Sequence, residues 1–156
     1  MIVIGIDPGL ATVGFGVIRT ERGVITPVSY GCIRTSAAKQ PPERLLEIYI
    51  EINALFEKYS PSVVSVEKLF FNKNVTNAMG VSEARGVILL AAQQKNIPVF
   101  EYTPLQVKQA ITGSGRADKK QMQEMIKRLL NLEEIPRPDD AADGLSIALC
   151  HIHIMR

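Results

Sequence analysis

Three runs of apolar residues near the start of the chain predict three β-strands. Residues 2–7 form a short run that Pro8-Gly9 closes with a turn. Residues 12–20 form the second run, in which two glycines permit close approach of another backbone. Residues 24–35 form the third run, where Pro27 indicates an edge strand or a bulge. Three consecutive strands with short connections predict an antiparallel meander.

After this meander, apolar residues at helical spacing alternate with short β-branched runs. Pro41 and Pro42 precede an amphipathic helix that Pro61 ends, and residues 62–67 contain three valines typical of a buried strand. The later predicted elements are a helix over 74–96, a strand over 97–103, helices over 104–112 and 119–130, and a last helix from 139 to the C-terminus. This order predicts an α/β fold with a five-stranded mixed sheet, in which two parallel strands extend the meander and helices cover both faces.

The 156 residues fit a single domain, residues 1–156, that can bury a core without disulfides or metal. Their composition, 46% hydrophobic and 22% charged, excludes a disordered chain. Cys32 and Cys150 are too few for a disulfide framework, so we expect two buried thiols in a reducing compartment. No apolar stretch approaches the ~20 residues of a membrane helix. The N-terminus has no basic region and carries Asp7, so it predicts no signal peptide and a cytoplasmic location.

Four acidic residues fall where open α/β sheets form their sites, at the carboxyl ends of strands. Asp7 ends the first strand and Glu67 ends the fourth, so their carboxylates converge if these strands are neighbours. Asp140 and Asp143 share one face of the last helix, and this face continues with the apolar Ile147, which directs it toward the sheet. Each acid alone also fits an ordinary role, as a turn residue, a solvated strand end or a charge at a helix N-terminus.

Converging carboxylates repel one another unless a cation neutralises them. Mg²⁺ and Mn²⁺ prefer carboxylate and water oxygens, and two such ions ~3.5–4 Å apart can hold a phosphodiester for in-line hydrolysis. The four acids therefore predict a divalent metal site. His151 and His153 have poor spacing for one zinc site on a helix, so we expect both to be structural or at the surface.

The formal net charge of +2 is a cancellation between two segregated stretches. Residues 104–130 contain six bases and two acids, which gives +4, whereas residues 131–143 contain one base and five acids, which gives −4. A flexible basic loop around Gly113-Ser114-Gly115 suits a phosphate backbone. The bases that flank this hinge are Lys108, Arg116, Lys119 and Lys120.

The loop after the fourth strand combines aromatic, basic and amide side chains. Phe70 and Phe71 are adjacent, so they cannot both face the core of a regular element. One of them could stack on unpaired bases or wedge between them, with Lys73 close by in the loop. The alternative role for either phenylalanine is a hydrophobic staple onto the following helix.

Several motifs together resemble the bacterial RuvC-type Holliday junction resolvases, from the first residue to near the last. They are GIDPG at 5–9, Glu67 followed by Phe70, ARG at 84–86, PVFEYTP at 98–104, QVKQ at 106–109 and DAAD at 140–143. The resemblance implies a ribonuclease H-like fold and a homodimeric, Mg²⁺-dependent endonuclease. Such an enzyme nicks opposing strands of a four-way DNA junction during recombination and repair. It works with a branch-migration complex of a junction-binding protein and a motor ATPase.

The resemblance also implies roles for individual residues. Asp7, Glu67, Asp140 and Asp143 take the catalytic and metal-binding acid positions. Lys108 and Lys119 take the functional lysines, and Phe70 takes the aromatic that stacks in the opened junction. We hypothesise that Asp7 bridges two Mg²⁺ ions, for which Mn²⁺ substitutes, and that the products carry 5′-phosphate and 3′-hydroxyl ends. The candidate nucleic-acid contacts are Phe70, Phe71, Lys73, Arg85, Arg116 and Lys120.

Three other classes of protein share part of this pattern. Sugar kinases and actin-like ATPases have a similar first strand and turn, but they need two such domains around a nucleotide, and this chain has room for one. A ribonuclease H-like nuclease acting on structured RNA is a closer alternative, although Phe70 and the basic hinge favour the junction. A non-catalytic junction-binding module would have no reason to place four acids against DNA phosphates.

Overall fold

The computed structural model describes residues 1–69 and 75–156, and it describes the side chains of all of these except 75 and 76. The order of its elements is the predicted one. The strands are β1 (Ile2–Asp7), β2 (Thr12–Glu21), β3 (Val24–Arg34), β4 (Val63–Glu67) and β5 (Val99–Tyr102). The helices are α1 (Pro41–Tyr59), α2 (Val75–Gln94), α3 (Pro104–Thr112), α4 (Lys119–Leu129) and α5 (Asp139–Ile154).

The strands form one mixed sheet in the order β3-β2-β1-β4-β5. β1, β2 and β3 are the predicted antiparallel meander, and β4 and β5 extend the sheet parallel to β1. Both expectations for Pro27 are confirmed, since β3 is an edge strand and the register between β2 and β3 shifts between Val17 and Ile18, where Pro27 pairs. A residue without an N–H is tolerated in such a place because it removes no hydrogen bond from a central ladder.

Two apolar cores lie on opposite faces of the sheet. Neighbouring strand residues point to opposite faces, so Ile4 belongs to the core that α1 and α2 cover, and Val3 belongs to the core that α3, α4 and α5 cover. Helices therefore pack on both faces, as predicted. Within the described ranges, no helix is long and apolar enough to cross a membrane.

Local signals place the helix boundaries around the hinge. Thr103 and Asp118 begin α3 and α4 with capping boxes, in which their side chains accept hydrogen bonds from the backbone N–H groups of Gln106 and Gln121. α3 ends at Gly113, whose φ of 78° is in the left-handed region that favours glycine. The predicted strand 97–103 is shorter in the structure, where β5 spans Val99–Tyr102, and it ends before Thr103 because that residue caps the following helix.

The packing of α5 on β1 and β2 is unusually close because glycines line the contact. A Cβ at Gly14 would lie 1.9 Å from the carbonyl oxygen of Asp140, and a Cβ at Gly5 would lie 2.2 Å from that of Gly144. A Cβ at Gly144 would in turn lie 2.4 Å from the backbone of Phe15. No side chain fits at these positions, so helix backbone rests on strand backbone.

The buried histidine of α5 has a structural role, as expected. His151 is 2% exposed, and its Nδ1 lies 2.7 Å from the hydroxyl oxygen of Tyr102. Burial lowers the pKa of His151, which favours the neutral ring. Cys150 is fully buried and burial raises the pKa of its thiol to about 11, whereas Cys32 is only partly buried, contrary to the expectation of two buried thiols.

Candidate active site

Acidic side chains from three elements meet at the carboxyl edge of the sheet. Asp7 ends β1, and Glu67 ends β4, the parallel neighbour of β1. α5 adds Asp140 and Asp143 from its first turns, and one carboxylate oxygen from each of Asp7, Asp140 and Asp143 lies within 4.8 Å of the other two. Glu67 and Asp7 share a hydrogen bond. The structure therefore brings the four predicted acids together.

The glycine contact of α5 determines where its two acids lie. Gly14 pairs with Asp7 across the antiparallel ladder, and the backbone of Asp140 rests on Gly14. The start of α5 is thereby held against the strand that neighbours Asp7. Asp143, one turn further along the helix, shares its face with Asp140. The positions of these carboxylates depend on backbone contact rather than on intervening side chains.

Burial and mutual repulsion raise the pKa of three of these carboxyl groups. Burial is the largest cause for Asp7, and the neighbouring acids add to it, so its pKa rises to about 9. The pKa values of Glu67 and Asp143 are also raised, again chiefly by burial. Hydrogen bonding with Asp7 opposes the rise in the pKa of both, because the single proton of Asp7 can be donated to either ionised neighbour. The cluster without a cation thus holds a proton on Asp7 at neutral pH.

This set of donors fits a hard divalent cation. All four side chains offer carboxylate oxygens, the ligands that Mg²⁺ and Mn²⁺ prefer. Their burial and mutual repulsion make the ionised cluster costly, and a divalent cation removes that cost by replacing the proton on Asp7. The chemistry of the site therefore indicates divalent metal use.

The two predicted lysines lie beside these acids. Lys108 and Lys119 line a cavity of about 310 Å³ together with Glu67 and Asp143. The charge of Lys108 lowers the pKa of Glu67, and that of Lys119 lowers the pKa of Asp143, although burial outweighs both effects. Both lysines are therefore electrostatically coupled to the acidic cluster, as a role in stabilising phosphate charge requires.

Lys119 has an ion-pair partner at the start of α5. Its Nζ lies 2.6 Å from Oδ2 of Asp139, and the side-chain amide of Gln123 donates to Oδ1 of Asp139 at 3.1 Å. Both members of the ion pair are more than half exposed, so the pair contributes little to stability.

Arg116 and Lys120 lie away from the acids, on the outer side of the hinge. They line a second cavity of about 620 Å³ with a third base, Arg128. Glu124 also lines this cavity, so its charge is not wholly positive. Three of the four charged side chains that line this cavity are therefore basic.

Arg85 occupies a different environment from the other candidate DNA contacts. Its side chain is 19% exposed and forms an ion pair with Glu101 of β5. Its Nε is buried and has no hydrogen-bond partner among the described residues. A DNA contact by Arg85 remains a prediction. Phe70, Phe71 and Lys73, the three loop candidates, lie outside the described residues.

Two further polar residues, for which the sequence gives no indication, lie at the other side of the acids. Arg44 of α1 and Asn77 of α2 line a cavity of about 480 Å³ together with Asp7 and Asp140. Neither residue belongs to a recognisable motif, and only the tertiary packing of α1 and α2 brings them to this edge of the sheet. No signal in the sequence identifies them.

The sheet order and the carboxylates at its edge define an α/β protein of the ribonuclease H-like class, with a site suited to phosphodiester hydrolysis. Residues 3–151 match the family described as crossover junction endodeoxyribonuclease RuvC. The chain belongs to this family of nucleases.

Two groups of relatives are consistent with this membership. The RuvC protein of Desulfitobacterium hafniense is 56% identical over 153 residues, which is 98% of this chain and 93% of the relative. That of Brevibacillus brevis is 57% identical over 151 residues, which is 97% of this chain and 91% of the relative. A Thermus thermophilus RuvC structure is 36% identical with a TM-score of 0.93, covering 100% of this chain and 96% of that chain. T. thermophilus RuvC in complex with a Holliday junction substrate superposes with a TM-score of 0.95 over 100% of this chain and 95% of that chain.

Proposed function

We propose that this nuclease resolves four-way DNA junctions by paired, symmetrical nicks in opposing strands, during recombination and repair in the cytoplasm. The observation that carries the proposal is the partly buried cluster of Asp7, Asp140 and Asp143, whose carboxylate oxygens lie within 4.8 Å of one another. The complex of a 36% identical relative with a Holliday junction substrate favours junction DNA over structured RNA.

The four acids would hold two Mg²⁺ ions, for which Mn²⁺ would substitute, because all four side chains offer carboxylate oxygens. Divalent cations in such a site supply an activated water and neutralise charge on the phosphate and the leaving 3′ oxygen. Asp7 gives up the proton that burial and its neighbours hold on it. Hydrolysis breaks the bond between phosphorus and the 3′ oxygen, which leaves a 5′-phosphate and a 3′-hydroxyl that a ligase can rejoin.

Lys108 and Lys119 would stabilise the extra negative charge of the phosphate as water attacks it. Both line the cavity that Glu67 and Asp143 also line, so a phosphate bound there meets carboxylates and ammonium groups together. Lys119 would exchange its exposed bond with Asp139 for a phosphate oxygen. The candidate contacts to the rest of the junction are Phe70, Phe71, Lys73, Arg85, Arg116 and Lys120.

A homodimer would place two active sites on opposing strands of a two-fold junction. α2 offers a surface for it. Met79 and Leu90 are 61% and 55% exposed, and they share a helix face with Gly86, where a Cβ would meet nothing within 4 Å. Two copies of this face could pack closely across a two-fold axis. A junction-binding protein and a motor ATPase would deliver the junction, as the family resemblance implies.

The test uses a synthetic mobile four-way junction, a linear duplex and a structured RNA, each with Mg²⁺ or with EDTA. Paired nicks in the junction alone, dependent on metal, are the expected result. Cleavage of the RNA and not of the junction would contradict the proposal. Glu67→Gln should abolish cutting and retain junction binding, because it removes a metal ligand and no positive charge. An equal loss of binding would mean that the acids have a structural role.

A further inference from the structure

Arg44 is held at the rim of the active site by one of its five N–H groups. Its Nε donates to Oγ1 of Thr35 at 2.8 Å. The same hydroxyl of Thr35 donates to the carbonyl oxygen of Leu10 at 2.6 Å. Leu10 belongs to the turn that directly follows Asp7. The guanidinium group is therefore tied, through one hydroxyl, to the turn that follows a catalytic acid.

The charge of Arg44 is not used within the described part of the chain. Arg44 is partly buried, and no described carboxylate lies within ion-pair distance of its guanidinium group. Its terminal nitrogens have no hydrogen-bond partner among the described residues, and they are not enclosed. A partly desolvated guanidinium group without an acidic partner is a costly arrangement, unless an anion completes it.

The position of Arg44 indicates which anion this is. Arg44 lines the 480 Å³ cavity with Asp7 and Asp140, whereas Lys108 and Lys119 line the 310 Å³ cavity with Glu67 and Asp143. The acids therefore have cationic side chains on both flanks. A polyanionic strand that crosses the acids meets a positive group on each side of the cleavage point.

We propose that Arg44 binds a backbone phosphate of the DNA strand that is cut, on the flank of the acids opposite the two lysines. Its planar fork suits bidentate contact with phosphate oxygens, and the bond to Thr35 orients that fork before the substrate arrives. Arg44 is thus a substrate-binding residue that aligns the strand across the acids. This inference rests on the proposed function, since it requires junction DNA as the substrate.

A purely structural role is the competing explanation, in which Arg44 only ties α1 to the loop before it. Two variants separate the roles. Arg44→Gln removes both the charge and the bond to Thr35, whereas Thr35→Val removes that bond and keeps the charge. Arg19→Gln is the matched control, because Arg19 is exposed and pairs with Ile2 at the far end of the sheet.

The measurement is junction affinity in EDTA at a series of salt concentrations, with thermal unfolding of each variant. Each phosphate contact contributes roughly 0.7–0.9 to the slope of log affinity against log salt. Arg44→Gln should lower the slope by about this amount per protomer and weaken binding roughly tenfold, as loss of a charge-assisted hydrogen bond does. Arg44→Lys should keep the slope. Thr35→Val and Arg19→Gln should also keep it.

An unchanged slope in Arg44→Gln would overturn the inference. The inference would also be overturned if Thr35→Val lowered the affinity and the salt slope as much as Arg44→Gln does. Failure of the wild-type protein to bind the junction would instead contradict the proposed function, so the two failures are distinguishable.

Discussion

Asp7 carries a testable link between the acidic cluster and stability. Its pKa rises from 3.8 to about 9 on folding, chiefly through burial. Between these pH values the folded protein keeps a proton that the unfolded chain releases, so stability falls as pH rises across this window. The loss of folding stability that Asp7 causes is absent below pH 3.8 and reaches a constant value above about pH 9.

The size of the penalty follows from the same values. At pH 7.5, about 3.7 units above the unfolded pKa, a cost of ~1.4 kcal/mol for each unit gives roughly 5 kcal/mol. Asp7→Asn removes the titrating group. At pH 7.5 in EDTA, the free energy of unfolding of the Asp7→Asn variant should exceed that of the wild-type protein by at least about 2 kcal/mol. For a chain of this length, that difference is a rise of about 4–8 °C in Tm. The variant should also lose most of the stabilisation that Mg²⁺ gives the wild-type protein.

The assay is thermal unfolding of both proteins from pH 4.5 to 9 in EDTA, then with Mg²⁺. The difference in Tm between them should grow with pH, and taking the difference cancels the titration of groups that do not contact Asp7. Asp139→Asn is the control, because Asp139 is exposed and its pKa is lowered by Lys119 instead. A Tm difference that stays constant across the pH range would refute the reasoning, as would an Asp7→Asn variant less stable than wild type at pH 8.

Three further predictions concern other parts of the site. Gly14→Ala should destabilise the protein by more than about 2 kcal/mol and reduce cutting, because its Cβ would lie 1.9 Å from the Asp140 carbonyl oxygen; chemical unfolding and nicking rates measure both. Lys119→Ala should slow cutting more than it weakens binding, and an unchanged single-turnover rate would exclude the assigned role. Leu90→Glu should yield a monomer by light scattering and uncouple the two nicks, whereas Leu46→Glu, a change at a similarly exposed leucine of α1, should leave the dimer intact.

The sequence predicts the acidic cluster well because the relevant signals are local. Asp7 stands before a Pro-Gly turn and Glu67 follows a β-branched run, so their positions at strand ends depend on short stretches of chain. Helical periodicity puts Asp140 and Asp143 on one face of α5, which continues with the apolar Ile147. Two tertiary assumptions remained, the adjacency of β1 and β4 and the packing of α5 beside Asp7, and the parallel pairing and the glycine contacts confirm them.

The features that the sequence could not predict depend on which elements pack together. Arg44 is one charge on an amphipathic helix, and nothing near it in the chain indicates its proximity to Asp7. The ion pair between Arg85 and Glu101 joins α2 to β5 across long sequence separation. The bond between Lys119 and Asp139 likewise depends on how α4 meets α5, which periodicity does not define.

The contact between Gly14 and the backbone of Asp140 has a consequence for how this protein can change in evolution or by engineering. Asp140 and Asp143 lie at the start of α5, and direct contact between peptide groups holds α5 against β1 and β2, so volume-conserving exchanges in the two apolar cores should leave that contact in place. A side chain added at Gly5, Gly14 or Gly144, by contrast, would push the helix away from the sheet. Libraries that vary stability should randomise the cores and leave these glycines fixed.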